Sequence, residues 1–143
     1  MIRPQDIERI VAEWQRGELA REVRSRMDGF AGVLGRDRQG RTVLKYRRRP
    51  PGLSKIRIYS GRLYGSLTGA QIGAAVPAQG DMIRKVKVGD RYIEITIGSL
   101  LPYAARHELR PRTWQPFFVP SVEAAVDTLV SRIQQHVERT LSS

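Results

Sequence analysis

The sequence predicts a single α+β domain, residues 1–143, in which a long N-terminal and a long C-terminal helix cover an antiparallel sheet, with a basic arm or hairpin. Apolar residues follow helical spacing near both ends of the chain and alternate with polar residues in the middle. Strand and helix patterns do not alternate along the chain, so a parallel α/β sheet is not expected. A chain of 143 residues is long enough to build one hydrophobic core.

The N-terminal helix is predicted over residues 4–27. Pro4 suits the first turn of a helix, and Asp6 complements the positive end of the helix dipole. A bend is expected at Gly17, and the glycine-rich residues 28–35 are expected to end the helix and form a loop. Apolar residues recur along one face at Ile7, Ile10, Val11, Trp14, Leu19, Val23 and Met27.

The next segment, about residues 36–55, is predicted to be a basic arm or hairpin. The net charge of the chain is +11, and residues 29–62 contribute most of it, with 10 basic residues and 1 acidic residue. Residues 42–46 alternate like a strand, whereas the Pro-Pro-Gly sequence at residues 50–52 prevents regular structure. We expect this arm to be poorly ordered in the free chain and ordered by a partner. The candidates for contact with DNA or a protein partner are Arg47, Arg48 and Arg49.

A hairpin is the clearest β feature of the sequence. Residues 82–88 and 92–98 alternate apolar and polar side chains, and Gly89-Asp90 between them predicts a two-residue primed turn. Ahead of this hairpin, residues 61–67 are predicted to be a short helix or a turn. Residues 71–76 are a further candidate strand.

The C-terminal helix is predicted over residues 121–141, with Ser121 as its N-cap. Phe117, in the proline-rich turn before it, is expected to fill the gap between sheet and helix. Ile95 is expected in the core, because it lies on the apolar face of the best predicted strand. Trp114 is a candidate anchor at a subunit contact, where aromatic residues are favoured.

Composition and motifs argue against catalysis and against a bound cofactor. The chain has no cysteine, which excludes disulfides and thiolate metal sites, and its 2 histidines are far apart in sequence. No apolar run approaches the roughly 18 residues of a membrane span, so no membrane partner is expected. His107-Glu108 could act as an acid/base pair, but no motif completes an active site around it. Ser60, Ser66 and Ser99 are predicted to be turn and capping residues.

Three short motifs resemble those of a phage protein family. Residues 60–67 (SGRLYGSL) are similar to a Thr/Ser-Gly-Arg-Leu-x-x-Ser-Ile/Leu signature. Ile97-Gly98 followed by Tyr103-Ala104 and His107-Glu108 resembles a second signature, and residues 116–118 before a long helix resemble a third. The family is the tail-completion and neck group of tailed bacteriophages, including the HK97 gp10-like and Mu-type virion morphogenesis proteins.

The resemblance implies a non-enzymatic structural protein of the virion, in the neck or at the tail terminus, that forms a homo-oligomeric ring joining head and tail. The implied partners are further copies of the chain, connector or neck proteins, tail tube or sheath proteins, and DNA in the channel without sequence specificity. Assembly would take place in the host cytoplasm. Arg62 and Glu108 are candidate polar ties within or between subunits. The full set of interface or structural candidates is Ser60, Gly61, Arg62, Leu63, Ser66, Tyr103, His107, Glu108, Trp114 and Phe117.

The alternative hypothesis is a small basic nucleic-acid-binding protein whose arm contacts phosphates. Such a protein would be monomeric and would bind DNA with a steep salt dependence. A small hydrolase centred on His107 is the weakest hypothesis, because no other motif supports it.

Overall fold

The computed structural model describes residues 1–30, 32–46, 56–58, 62–70, 81–101 and 117–142. The helices are α1 (Pro4–Trp14), α2 (Ala20–Ser25), α3 (Arg62–Thr68) and α4 (Phe118–Ser142), and a π-helical segment (Gln15–Leu19) joins α1 to α2. The strands are β1 (Met27–Phe30), β2 (Gly32–Arg36), β3 (Thr42–Tyr46), β4 (Ile56–Ile58), β5 (Met82–Val88) and β6 (Ile93–Ser99). This mixture of helices and small antiparallel sheets is compatible with the predicted α+β class.

The N-terminal helix begins at Pro4, as predicted, and ends at Ser25, two residues earlier than predicted. Gly17 lies inside the π-helical segment, so the helix widens there. The prediction of a loop over residues 28–35 is wrong, because β1 and β2 occupy most of this range. The apolar residues between the glycines favour strands, and pairing with distant strands outweighs the loop preference of glycine.

The described strands form three separate two-stranded sheets, which corrects the prediction of one antiparallel sheet. β2 pairs with β3 and β5 pairs with β6, both antiparallel, whereas β1 pairs with β4 in parallel. Parallel pairing needs a long connection between the strands, and residues 31–55 provide one. Sequence alternation shows that a segment is a strand, but it does not identify the partner.

The β5–β6 hairpin confirms the strongest β prediction. Val86 lies opposite Ile95, and β6 ends one residue later than predicted. The primed turn is wrong: residues 89–92 connect the strands, and Gly89 does not have a positive φ. Its N–H instead donates to the Tyr92 carbonyl at 2.9 Å. A Cβ on Gly89 would lie 2.5 Å from the ring of the exposed Tyr92, so a larger residue there would require that ring to move.

The β2–β3 hairpin confirms the predicted strand at residues 42–46 and begins at Gly32, before the predicted arm. Asp37 organises the tip: its Oδ1 accepts from the backbone N–H groups of Gln39 (2.9 Å) and Arg41 (2.8 Å). Its Oδ2 pairs with Arg41 Nε at 2.9 Å, and Gly40 has a φ of +78°. The rest of the predicted arm, residues 47–55, lies outside the described residues, so its predicted order is untested.

The C-terminal helix α4 starts at Phe118, three residues before the predicted start. Ser121 therefore lies in the first turn and is not the N-cap, and its hydroxyl donates back to the carbonyl of Phe117. Among the described residues, no helix combines the length and apolar character needed to cross a membrane.

The core surrounds the N-terminal helix, whose buried side chains meet residues of α3, α4 and the β5–β6 hairpin. Trp14 is fully buried, and its Nε1 donates to the carbonyl of Ala125 at 2.8 Å. Phe117 is 1% exposed, which confirms it as a core residue. Ile95 is only half-buried, although it packs against the core.

Candidate functional site

Only part of the predicted site can be located. Arg62, Leu63, Ser66 and Phe117 lie among the described residues. The other predicted residues lie outside the described part of the chain: Ser60, Gly61, Tyr103, His107, Glu108 and Trp114, together with Arg47, Arg48 and Arg49.

Arg62, at the start of α3, forms a two-point ion pair with Asp81, the residue before β5. Its Nε lies 2.8 Å from Oδ2 of Asp81 and one terminal nitrogen lies 3.1 Å from Oδ1. The hydrogen bond from Arg62 lowers the pKa of the Asp81 carboxyl, against an opposing effect of burial. The carbonyl of Asp81 also accepts from the N–H of Leu100 at 2.7 Å, just after β6. Arg62 therefore ties α3 to the base of the β5–β6 hairpin within one chain.

Ser66 makes a second tie between the same elements. Its hydroxyl donates to the carbonyl of Leu63 at 2.8 Å and lies 2.6 Å from the hydroxyl of Ser99, while Ser99 accepts from the N–H of Leu101 at 3.2 Å. Because Ser66 already donates to Leu63, Ser99 must donate to Ser66. Ser66 is thus a buried helix residue that joins α3 to β6, which corrects its prediction as a turn or capping residue.

Gln15 is a buried polar residue that the sequence did not reveal. Its Nε2 donates to the carbonyl of Leu67 at 3.0 Å, and its Oε1 accepts from Nε of Arg84 at 2.6 Å. Burial lowers the pKa of the partly buried Arg84, with nearby Arg16 acting in the same direction. The amide thus joins the π-helical segment to α3 and β5. Its position between Trp14 and Gly17 gave no signal, because both partners are distant in sequence.

An apolar groove lies between β6 and α4, with a volume of about 350 Å³. One wall carries the alternate isoleucines of β6, and the other carries residues at helical spacing along α4. Trp14 lies at its base, where its indole also packs in the core. The apolar lining is Trp14, Ile93, Ile95, Ile97, Val122, Val126, Leu129, Val130 and Ile133. Val130 is 46% exposed, so the groove presents apolar surface to solvent.

The rim of the groove is acidic on the side of α4. Glu123 and Asp127 are exposed and follow the groove residues Val122 and Val126 by one position. Neither acid has an ion-pair partner among the described residues. Two negative charges therefore lie beside an open apolar surface, an arrangement suited to an apolar segment that carries basic residues.

The β2–β3 hairpin has the opposite charge. Arg36, Arg38 and Arg41 surround its tip and are exposed, whereas Asp37 is the one acidic residue there. The hairpin makes no substantial contact with any other described helix or strand. Within the described part of the chain, the tip of this hairpin is therefore an exposed basic element.

No group of three or more His, Asp or Glu side chains among the described residues is placed to hold a metal ion. A wider hollow of about 690 Å³ lies along the last turns of α4, lined by Gln135, Glu138, Arg139 and Ser142. The apolar groove and the exposed cations of the hairpin tip are surfaces suited to contact with another molecule.

Comparison of the chain with protein-family models, with curated protein sequences and with solved structures finds no match in any of the three. The resemblance to the phage family therefore rests on the three sequence motifs alone.

Proposed function

We propose that this chain is a structural protein of the tailed-phage virion, in the neck or at the tail terminus, where copies form a ring that joins head to tail. The observation that carries the proposal is the open apolar groove between β6 and α4, with acidic residues along its rim. An exposed apolar surface bordered by charge is typical of a protein interface. A head-to-tail contact between identical subunits that closes on itself produces a ring.

The described part of the first phage-like motif supports a structural role. Arg62 binds Asp81, Ser66 forms hydrogen bonds with Leu63 and Ser99, and Leu63 is buried. These contacts hold α3 against the hairpin that forms one wall of the groove. In the proposed interface, these motif residues would therefore hold one wall of the groove in position.

The exposed cations of the β2–β3 hairpin favour a second candidate function, nucleic-acid binding. Arg38 and its neighbours could contact phosphates without sequence specificity, and such binding weakens steeply as salt rises. In a ring, DNA passing through the channel would meet the same residues. The two functions differ in assembly, because a simple DNA-binding protein needs no closed ring.

Deleting the gene from the phage genome that encodes the chain tests the proposed function. We expect DNA-filled heads and separate tails in the lysate, and joined particles when the wild-type chain is supplied in trans. Normal yields of joined, infectious particles from the deletion would contradict the proposal.

A further inference from the structure

The β2–β3 hairpin and the groove between β6 and α4 match each other in length. β2 and β3 have five residues each. A strand advances about 3.3 Å per residue, so each extends roughly 16 Å. The α4 wall runs from Val122 to Ile133, which at about 1.5 Å per residue is also roughly 16 Å long. One strand of the hairpin can therefore span the groove.

The two surfaces also match in chemistry. By sequence, the hairpin strands include the cross-strand pair Leu34 and Leu44, and such a pair gives one face of a hairpin apolar character suited to an apolar groove. The cations of the tip can approach the acidic rim of α4, where neither acid has a described partner.

We propose that the groove between β6 and α4 binds the β2–β3 hairpin of a second copy of this chain. The hairpin and the groove are different surfaces, so each copy donates a hairpin to one neighbour and receives one from another. Such contacts are head-to-tail and can close into a ring. This inference rests on the self-association in the proposed function and names the surfaces that mediate it.

Cross-linking between copies tests the inference. Because the chain has no native cysteine, only the introduced thiols can react. Thr42→Cys places a thiol on an exposed hairpin residue, and Val130→Cys places one at the groove. The two full-length variants, carrying tags of different size, are mixed and treated with a short bismaleimide. We expect a mixed dimer of the two variants. Leu141→Cys, on an exposed residue of the same helix beyond the groove, should give little mixed product with Thr42→Cys.

A second measurement compares self-association by sedimentation. Val130→Arg should weaken it by about tenfold or more, because a charge replaces an apolar side chain at the contact. Leu141→Arg makes the same chemical change at a site that is 73% exposed, and should leave association unchanged. Reversing the rim with Glu123→Arg and Asp127→Arg should also weaken association. Adding Arg36→Glu and Arg38→Glu should restore part of it.

The outcomes separate this inference from the proposed function. A further variant carries Thr42→Cys and Val130→Cys in the same chain. Cross-links found only within single chains of this double-cysteine variant would overturn the inference, since the hairpin would then occupy its own groove. Rings that form normally with Val130→Arg would overturn it as well, while leaving the phage function intact. Cross-linked rings from a protein that is absent from virions would support the inference and contradict the phage function. Monomers without any cross-link, at every concentration, would contradict the inference.

Discussion

The hydrogen bonds of Gln15 give a sharp test of how the core is held together. Gln15→Leu keeps a side chain of similar size but removes both the donor to the Leu67 carbonyl and the acceptor for Arg84. Leucine also favours a helix, so local helix propensity should not be lost. Any loss of stability then reflects the two polar groups left without this partner.

The expected magnitude follows from the two contacts. A buried carbonyl that loses its donor costs about 1–3 kcal/mol, and a hydrogen bond to a charged group contributes about 1.5–3 kcal/mol. Gln15→Leu should therefore lower the free energy of unfolding by roughly 2.5–6 kcal/mol. This is a large part of the roughly 5–15 kcal/mol typical of a domain. In a double-mutant cycle with Arg84→Met, the coupling should be about 1.5–3 kcal/mol.

Urea denaturation, followed by tryptophan fluorescence, to which the buried Trp14 and also Trp114 contribute, measures each free energy of unfolding. Gln135→Leu is the matched control, because this glutamine is exposed on α4 and should change stability by less than about 0.5 kcal/mol. If Gln15→Leu and Arg84→Met are additive within about 0.5 kcal/mol, the reasoning is refuted, since contacting residues should couple.

Further tests of the fold concern Gly17, Phe117, Ile95 and Asp81. Gly17→Ala should stabilise by about 0.4–1 kcal/mol, because the new methyl would meet no atom within 4 Å and the unfolded chain loses freedom; a lower urea midpoint would contradict this. Phe117→Ala should cost about 3–5 kcal/mol and the half-buried Ile95→Ala less, so equal midpoints would show that their burial is misassigned. The lowered pKa of Asp81 means that its bond with Arg62 stabilises the fold above the unfolded-state pKa of about 3.9 and ceases to do so as pH falls through the lower folded-state pKa. The stability difference between wild type and Asp81→Asn should therefore shrink in acid, and a difference that is constant with pH would count against the pair.

Much of the local structure could be predicted because its causes are local. The β5–β6 hairpin followed from alternating apolar residues, and most of α4 followed from helical spacing. The exceptions involve distant partners. Strands β1 and β2 were missed because glycine favours loops, and only pairing with β4 and β3 reveals them. The extra first turn of α4 was missed because serine is a typical N-cap residue. In the structure, the Ser121 hydroxyl instead donates a hydrogen bond to the carbonyl of Phe117.

Less of the candidate site than of the fold could be predicted from the sequence. Ile95 was expected in the core, but the groove between it and Val126 exists only because β6 and α4 lie side by side in the fold. Arg62 was predicted as a polar tie, whereas its partner Asp81 could not be named from spacing. The acidic rim also escaped notice, since exposed acids on a helix are common in isolation. Their significance comes from the neighbouring apolar surface.

Electron microscopy of intact particles provides the decisive test of the proposed location. A peptide tag after Ser143 can be labelled with gold-conjugated antibody, because the end of α4 at Ser142 is exposed. We predict label confined to the junction between head and tail, and a ring of density there that is missing from particles lacking the chain. Intact joined particles that carry no label, and that show the same junction with and without the gene, would contradict the proposal that this chain joins head to tail.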